Sequence, residues 1–237
     1  MLSFIVPAHN EAPLLGATLQ SLHAAANALG VAYEIVVVDD ASDDDTARIA
    51  AAHGARVLRV EHRHIAATRN AGARAALGER FVFVDADTRV DAAVLAATLR
   101  ALDAGAVGGG CAVRLAGPLH WHERLAIALV LPVFRWTKIA PGCFQFCTRA
   151  AFEAVGGYDE RWFAAEDVAL SRALAAHGRF VILREAVWTS NRKQRTHGLG
   201  THARLLLRFL RHGRRMLRSR EHLGLWYGER RHGPGEE

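Results

Sequence analysis

Apolar and polar residues fall into a regular alternation of blocks over the first hundred positions. LSFIVPA (2–8) is a short, nearly continuous apolar run. EAPLLGATLQSLHAAANALG (11–30) is rich in Ala and Leu at helical spacing and closes at Gly30. YEIVVVDD (33–40) and ARVLRV (55–60) repeat the strand pattern on either side of a helix over 44–53, which Gly54 follows. A helix over 65–77 stops at Gly78, and RFVFVDAD (80–87) then reads as a fourth strand before the helix DAAVLAATLRALDAG (91–105). Strands of about six residues separated by longer helices and short loops predict an α/β fold, a Rossmann-like, mostly parallel sheet flanked by helices on both faces.

The second half is less regular. AVGGGCAVRLAG (106–117) reads as a Gly-rich strand and turn, and 119–138 as a helix. GCFQFCTRAAFEAVGGYDE (142–160) reads as a strand running into a short helix that ends at Gly156-Gly157. A helix over 166–177 precedes the strand RFVILREAVWTS (179–190), and the last forty residues read as a basic amphipathic helix and a polar tail. With no internal repeat and no low-complexity linker, the expectation is one domain over 1–237. Within it, 1–104 form a regular half, 105–190 an irregular half, and 191–237 a basic C-terminal helix and tail.

Composition narrows the class. Of 237 residues, 51% are apolar and 23% charged, enough to bury a core and too apolar for a disordered chain. The net charge of +6 is local: RLLLRFLRHGRRMLRSR (204–220) holds seven arginines and no carboxylate, which leaves 23 basic residues against 24 acidic ones elsewhere. Its Leu205, Leu206, Phe209 and Leu210 share one helical face, so the segment suits either docking on the domain or attachment to an anionic membrane surface. Three cysteines without a C-x-x-C pair argue against a disulfide scaffold or a structural zinc, and for a reducing compartment. The start lacks the pattern of a signal peptide, and LAIALVLPVF (125–134) is too short to span a bilayer. A cytoplasmic location, soluble or peripheral on the inner membrane face, is expected.

The candidate chemistry sits at the strand ends. In an open α/β sheet, ligands collect at the carboxyl ends of the strands, and Asn10, Asp39, Asp40, Asp85 and Asp87 all fall there. Residues two apart on a strand point to one face, so Asp85 and Asp87 of VFVDADT are expected to aim at the same spot. Two like charges so placed call for a cation between them. Glu166 and Asp167 open a predicted helix, where carboxylates also favour the positive end of the dipole. In ASDDDT, Ser42 or Asp43 is an N-cap candidate, and the carboxylates of 43–45 are expected to cap the helix that follows while Asp40 stays free to bind.

VPAHNE, VVVDDASDDDT, ATRNAGARAA and FVDADT, followed by GCFQFCTRAAFEAVGGYDE and FAAEDVALSRAL, resemble in order and spacing the family 2 glycosyltransferases of the GT-A fold. The resemblance covers roughly residues 2–185. It implies a UDP- or GDP-linked sugar donor, a divalent cation (Mn or Mg), and direct displacement with inversion at the anomeric carbon. It assigns Asp87, with Asp85 assisting or contacting the ribose, to the metal, and Asp167 of the Glu166-Asp167 pair to the general base. Pro7, His9 and Glu11 match the family's first nucleoside-binding group, although a tyrosine often stands where His9 does. Asp40, with Asp39 beside it, matches the residue that accepts a hydrogen bond from the base.

Other assignments are less direct. Arg69 either reaches the nucleotide or pairs with a nearby acid. Trp162 and Phe163 either line the sugar pocket or pack in the core. His197 is a candidate metal ligand, and Arg192 and Arg195 are candidate diphosphate clamps, all in TSNRKQRTHG beyond the last strand. The Gln-x-x-Arg-Trp motif of processive synthases is absent, which implies transfer of a single sugar. The acceptor is a hydroxyl or phosphate of unknown identity, with a lipid-linked or cell-envelope glycan as candidates.

Competing classes fare less well. A dinucleotide-dependent oxidoreductase needs G-x-G-x-x-G at the first strand–helix turn, where PAHNEAP stands. The glycine-rich basic loop of a pyrophosphorylase is also missing. An inactive GT-A-like binding or scaffold protein remains the alternative, though the retained Asp85, Asp87 and Asp167 speak against decay. The basic tail raises nucleic-acid binding, but it has no interleaved aromatics or known motif, so no nucleic-acid partner is expected.

Overall fold

The computed structural model describes residues 1–115 and 137–190. In chain order the strands are β1 (Leu2–Ala8), β2 (Tyr33–Asp40), β3 (Arg56–Val60), β4 (Arg80–Val84), β5 (Thr88–Arg89), β6 (Gly108–Leu115), β7 (Phe144–Thr148) and β8 (Phe180–Thr189). The helices are α1 (Ala12–Ala28), α2 (Thr46–Ala52), α3 (Ile65–Ala75), α4 (Ala92–Asp103), α5 (Arg149–Ala154) and α6 (Glu166–His177). The strands form one sheet in the order β3-β2-β1-β4-β7-β6-β8-β5.

β3, β2, β1 and β4 are parallel neighbours, as the alternating pattern requires. The sheet is mixed in its second half: β7 runs antiparallel to both β4 and β6, β8 is parallel to β6, and β5 is antiparallel to β8. From β1 the chain moves outward through β2 to β3, then returns by α3 to β4 on the other side of β1. The strand order reverses between β1 and β4, and such sheets bind ligands in the crevice expected above the carboxyl ends of the strands at that point.

Period-two burial divides the core. Phe4, Val6 and Ala8 join Leu15, Leu19 and Leu22 of α1 and Val94 and Leu95 of α4 on one face. Ile5, Val36 and Val38 meet α3, α5 and α6 on the other, through Ala71, Phe152, Leu170 and Leu174. The approach of α3 depends on Gly72, since a Cβ there would lie 2.5 Å from Ile5 Cγ2 and 2.8 Å from Val38 Cγ2.

Several sequence expectations are corrected. The fourth strand ends at Val84 rather than at Asp87, because Asp85–Thr88 forms a turn closed by Thr88 N–H donating to Asp85 O at 3.0 Å. Chain beyond the turn forms the two-residue β5 at the sheet edge. The capping carboxylates of α2 fall within 43–45, since the N-cap is Asp45, without a side-chain hydrogen bond, and Asp44 Oδ1 accepts from Thr46 N at 2.9 Å, but neither Ser42 nor Asp43 caps it. Those residues instead tie the second strand's loop to the first: Ser42 Oγ accepts from Asn10 N at 3.0 Å and Asn10 Oδ1 accepts from Asp43 N at 3.0 Å. The predicted helix over 119–138 lies almost wholly outside the described residues, as do the run 125–134 and the basic segment 204–220. Among the described residues, no helix is long and apolar enough to cross a membrane.

Candidate active site

The strand-end residues fall into two groups. At the ends of β1 and β2, His9 Nδ1 lies 2.8 Å from Asp40 O and its Nε2 lies 3.3 Å from Arg63 Nη1. Asp40, 5% exposed, accepts from Arg63 N at 2.8 Å through Oδ1, and from His64 N at 3.1 Å and Thr68 Oγ1 at 2.7 Å through Oδ2. Its carboxylate thus anchors the entry to α3, with roughly one of its four lone-pair sites left for any ligand. Asp39 is buried beside it, with Oδ1 accepting from Ser42 N at 3.3 Å and Oδ2 3.7 Å from Arg59 Nε. Glu11 is buried at the start of α1, its N–H donating to Thr46 Oγ1 at 2.8 Å, and Pro7 lies within β1.

The second group surrounds Arg69, which is 2% exposed. Nη1 donates to Glu166 Oε1 at 2.8 Å, and Nη2 to Asp85 Oδ1 and to the Gly142 carbonyl, each at 2.9 Å. The Tyr158 ring lies 5.2 Å from the guanidinium carbon. Of the two roles open to Arg69 in the sequence, pairing with an acid is realised twice over. Burial alone would lower the Arg69 pKa, but Tyr158 and the carboxyl groups of Asp85, Glu166 and Asp167 together outweigh it and keep the group charged.

Asp85 and Asp87 do not share one surroundings. Asp85 turns toward Arg69 and keeps 29% of its side chain exposed. Asp87 turns toward the end of β8, accepting from Ser190 Oγ at 2.5 Å and from Thr189 Oγ1 at 3.3 Å. The alternation argument fails here because the chain leaves strand geometry at Val84. Both carboxylates remain at the crevice, on the turn between β4 and β5.

Glu166 and Asp167 begin α6, which Ala165 enters through a left-handed conformation at φ 63°. A helix N-terminus by itself lowers a carboxylate pKa, yet here burial prevails. It raises Glu166 to about 7, with Arg69 opposing and Asp167 adding to the rise. Asp167 is raised as well, chiefly by burial, against the pull of Arg69 and hydrogen bonds from the Val168 and Gly142 backbone. The turn before β7 presses on this group: a Cβ at Gly142 would lie 2.9 Å from Asp167 Oδ2.

The sequence reading missed Gln145, which is 3% exposed. Its Nε2 donates to Asp167 O and to Ser171 Oγ, each at 3.1 Å, and its Oε1 accepts from Tyr158 O–H at 2.8 Å. A visible signal existed: a lone amide between two phenylalanines in a strand, FQF, points to a buried polar contact on the opposite face. Trp162 Nε1 donates to Asp159 Oδ2 at 3.0 Å, and the Phe163 ring packs edge-on against His64 with centroids 4.4 Å apart. Cys111, Cys143 and Cys147 are free, and burial raises all three thiol pKa values, which makes them poor nucleophiles. A cleft of about 640 Å³ opens along α3 and α5, lined by Asn70, Arg74, Phe152 and Glu160 among others, but by none of the carboxylates of the crevice. Arg192, Arg195 and His197 lie outside the described residues.

Among the described residues, no cluster of three or more His, Cys, Asp or Glu stands ready to hold a metal. The Asp85–Asp87 turn nonetheless fits a weakly held divalent cation. Asp85 Oδ2 carries no bond from the protein among the described residues, and a Mg-like ion needs only one or two carboxylates when substrate phosphates and water complete its shell.

Comparison with known proteins gives the family and the fold. The sequence profile described as Glycosyl transferase family 2 matches residues 3–156. Validoxylamine A glucosyltransferase of Streptomyces hygroscopicus subsp. jinggangensis is 29% identical over 241 residues, covering 83% of this chain and 57% of that protein. An uncharacterised glycosyltransferase of Mycobacterium tuberculosis is 34% identical over 116 residues, covering 49% of this chain and 53% of that protein. The chain therefore spans little more than half the length of these relatives. Among solved structures, the mannosyltransferase PcManGT of Pyrobaculum calidifontis, in complex with GDP-Man and Mn2+, shares the fold with a TM-score of 0.68 at 24% identity, over 87% of this chain and 60% of that one. TarS 1–349 of S. aureus, in complex with UDP-GlcNAc, gives 0.65 at 20% identity, over 85% and 60%. With its profile match spanning most of the chain and its carboxylates gathered at the strand ends, the chain belongs to glycosyl transferase family 2.

Proposed function

We propose that the chain is an inverting glycosyltransferase that moves one sugar from a UDP- or GDP-linked donor to an acceptor hydroxyl or phosphate. The observation that carries this reading is the meeting, at the switch point of the sheet, of a donor-side carboxylate (Asp85) and an acceptor-side carboxylate pair (Glu166, Asp167) around one buried arginine. The family match and the nucleotide sugars bound by two structural neighbours support it.

Pro7, His9, Glu11, Asp39 and Asp40 lie where the nucleoside would rest. Asp87 and Asp85 would hold a divalent cation, Mn or Mg. That ion, when bound, stabilises the negative charge of the departing nucleoside diphosphate as a Lewis acid. Asp167 takes the proton of the acceptor hydroxyl as it attacks. Its raised pKa suits this work, since a carboxylate held low is a weak base.

Asp167→Asn tests the assignment. The substitution should leave folding and nucleotide binding near normal while reducing transfer by two or more orders of magnitude (~10²-fold or greater). Calorimetry with UDP and GDP, with and without manganese, supplies the binding arm, and substantial residual turnover in the variant would refute the role.

A further inference from the structure

We propose that Arg69 is a positioning residue. Its guanidinium locks Asp85, on the donor side, and Glu166, on the acceptor side, into one arrangement, and it touches no substrate itself. The inference rests on the glycosyltransferase reading above and departs from the nucleotide contact that the sequence left open for this arginine.

Four separate parts of the chain converge on this side chain. Arg69 comes from α3, Asp85 from the turn after β4, the Gly142 carbonyl from the turn before β7, and Glu166 from the start of α6. Among the described residues, no backbone ladder joins α3 or α6 to the Asp85 turn. The turn and α6 are each bonded to the β7 segment, through Asp85 N–H to Cys143 O at 3.1 Å and Gln145 Nε2 to Asp167 O at 3.1 Å. The guanidinium adds the direct link between Asp85 and Glu166. The fork suits the task, because its donors are fixed in a plane and reach two carboxylates and a carbonyl at once.

The same geometry argues against contact with a nucleotide. The Arg69 side chain is 3% exposed, and Nη1 and Nη2 already face protein acceptors. Nε has no acceptor among the described residues, but it is itself buried and so not presented to the crevice. The Tyr158 ring lies across the group, 5.2 Å from its carbon. Tyr158 in turn bonds Gln145, which holds the Asp167 carbonyl, so the arginine and the amide support adjacent residues of α6 from different directions.

Two comparisons test the proposal. In Arg69→Lys the charge stays but the fork is lost, and an ammonium cannot serve all three acceptors at their present spacing. The variant should bind UDP and GDP without metal as the wild type does. Its kcat with the nucleotide sugar that the wild type turns over should fall by about 10²-fold while the donor KM holds within about threefold, the pattern of a misplaced catalytic group. A tenfold or greater loss of metal-free UDP or GDP affinity (roughly the loss of one charge-assisted hydrogen bond) would establish direct contact instead and overturn the proposal.

The second comparison separates positioning from mere folding. Arg69→Met alone strands buried carboxylates and should lower the unfolding midpoint, whereas Arg69→Met with Glu166→Gln removes charge from both partners and should recover much of it. The double variant should nonetheless turn over donor about tenfold or more slower than Glu166→Gln alone, because Asp85 is still unheld. Equal rates in those two proteins would reduce Arg69 to a structural charge and overturn the proposal. A wild type that turns over no nucleotide sugar sinks the functional reading and the inference together. An active wild type with an unimpaired Arg69→Lys variant sinks the inference alone.

Discussion

At the residue scale, the decisive balance is between burial and charge at Glu166. Taking a carboxyl out of water raises its pKa, and the adjacent Asp167 adds to this, while Arg69 resists it. With the folded value near 7 against an ordinary 4.5, the folded protein keeps a proton that the unfolded chain releases within that window. Stability must then fall as pH rises from 4.5 to about 7, the reverse of a salt-bridged carboxylate with a depressed pKa. Thermal unfolding across this range should show the decline, and Glu166→Gln should flatten it. A wild-type midpoint that climbs over the same interval would contradict the burial argument. Asp167 is shifted in the same direction, so with Asp167 as the proposed base the acid limb of the transfer rate should move upward in pH.

Elements are positioned by close fits that a residue list does not reveal. Glu166 and Asp167 stand at the crevice because α6 is fastened there by Gln145 and Ser171, while Ser171 Oγ also accepts from Ala140 N at 3.1 Å. The turn over Ala140–Gly142 and the first turn of α6 therefore interlock. Gly142→Ala places a methyl 2.9 Å from Asp167 Oδ2 and 3.3 Å from its Cβ, so either the turn or the base must move. The expected result is a fall in kcat of about 10-fold to 10²-fold, for a displacement of a few tenths of an ångström up to about 1 Å. The unfolding midpoint should drop by only a few degrees, consistent with a local overpacking cost of about 1–3 kcal/mol. Unchanged kcat would mean that Asp167 tolerates displacement and is not held for chemistry.

For the whole molecule, the sheet places the His9–Asp40 group and the Arg69 group, the proposed nucleoside and sugar sides, on opposite sides of one switch point. A ligand bridging them should stabilise the entire domain, since it binds only the folded state. UDP or GDP with manganese at one hundred times its Kd should add about 2.7 kcal/mol to unfolding stability. The increment should shrink on chelation and in Asp87→Asn, and a nucleotide effect indifferent to metal would remove the cation from the account. The scale also exposes what is shared between halves. The parallel strands β3-β2-β1-β4 form a self-consistent unit, but its Asp85 relies on β7, whose Cys143-side turn supplies the acceptor for Asp85 N–H at 3.1 Å.

The order of strands and helices over residues 1–105 was legible because apolar period and glycine stops are local properties of the chain. Element ends shifted by a few residues at most, apart from the fourth strand. The strand-end positions of Asp39, Asp40, Asp85 and Asp87 followed from that order, and the family resemblance from their motifs. The helix start at Glu166 was equally local. Burial was not legible, and it reversed the expected effect of a helix N-terminus on the Glu166–Asp167 pair. Nor was the route of β7 into the sheet, antiparallel between β4 and β6, which brings Gly142 and Gln145 against Asp167. Local sequence fixes which residues can sit at an edge or an end, since backbone periodicity depends on near neighbours. Only tertiary structure decides which of them meet, because the contacts of Arg69 span 16 to 97 positions along the chain.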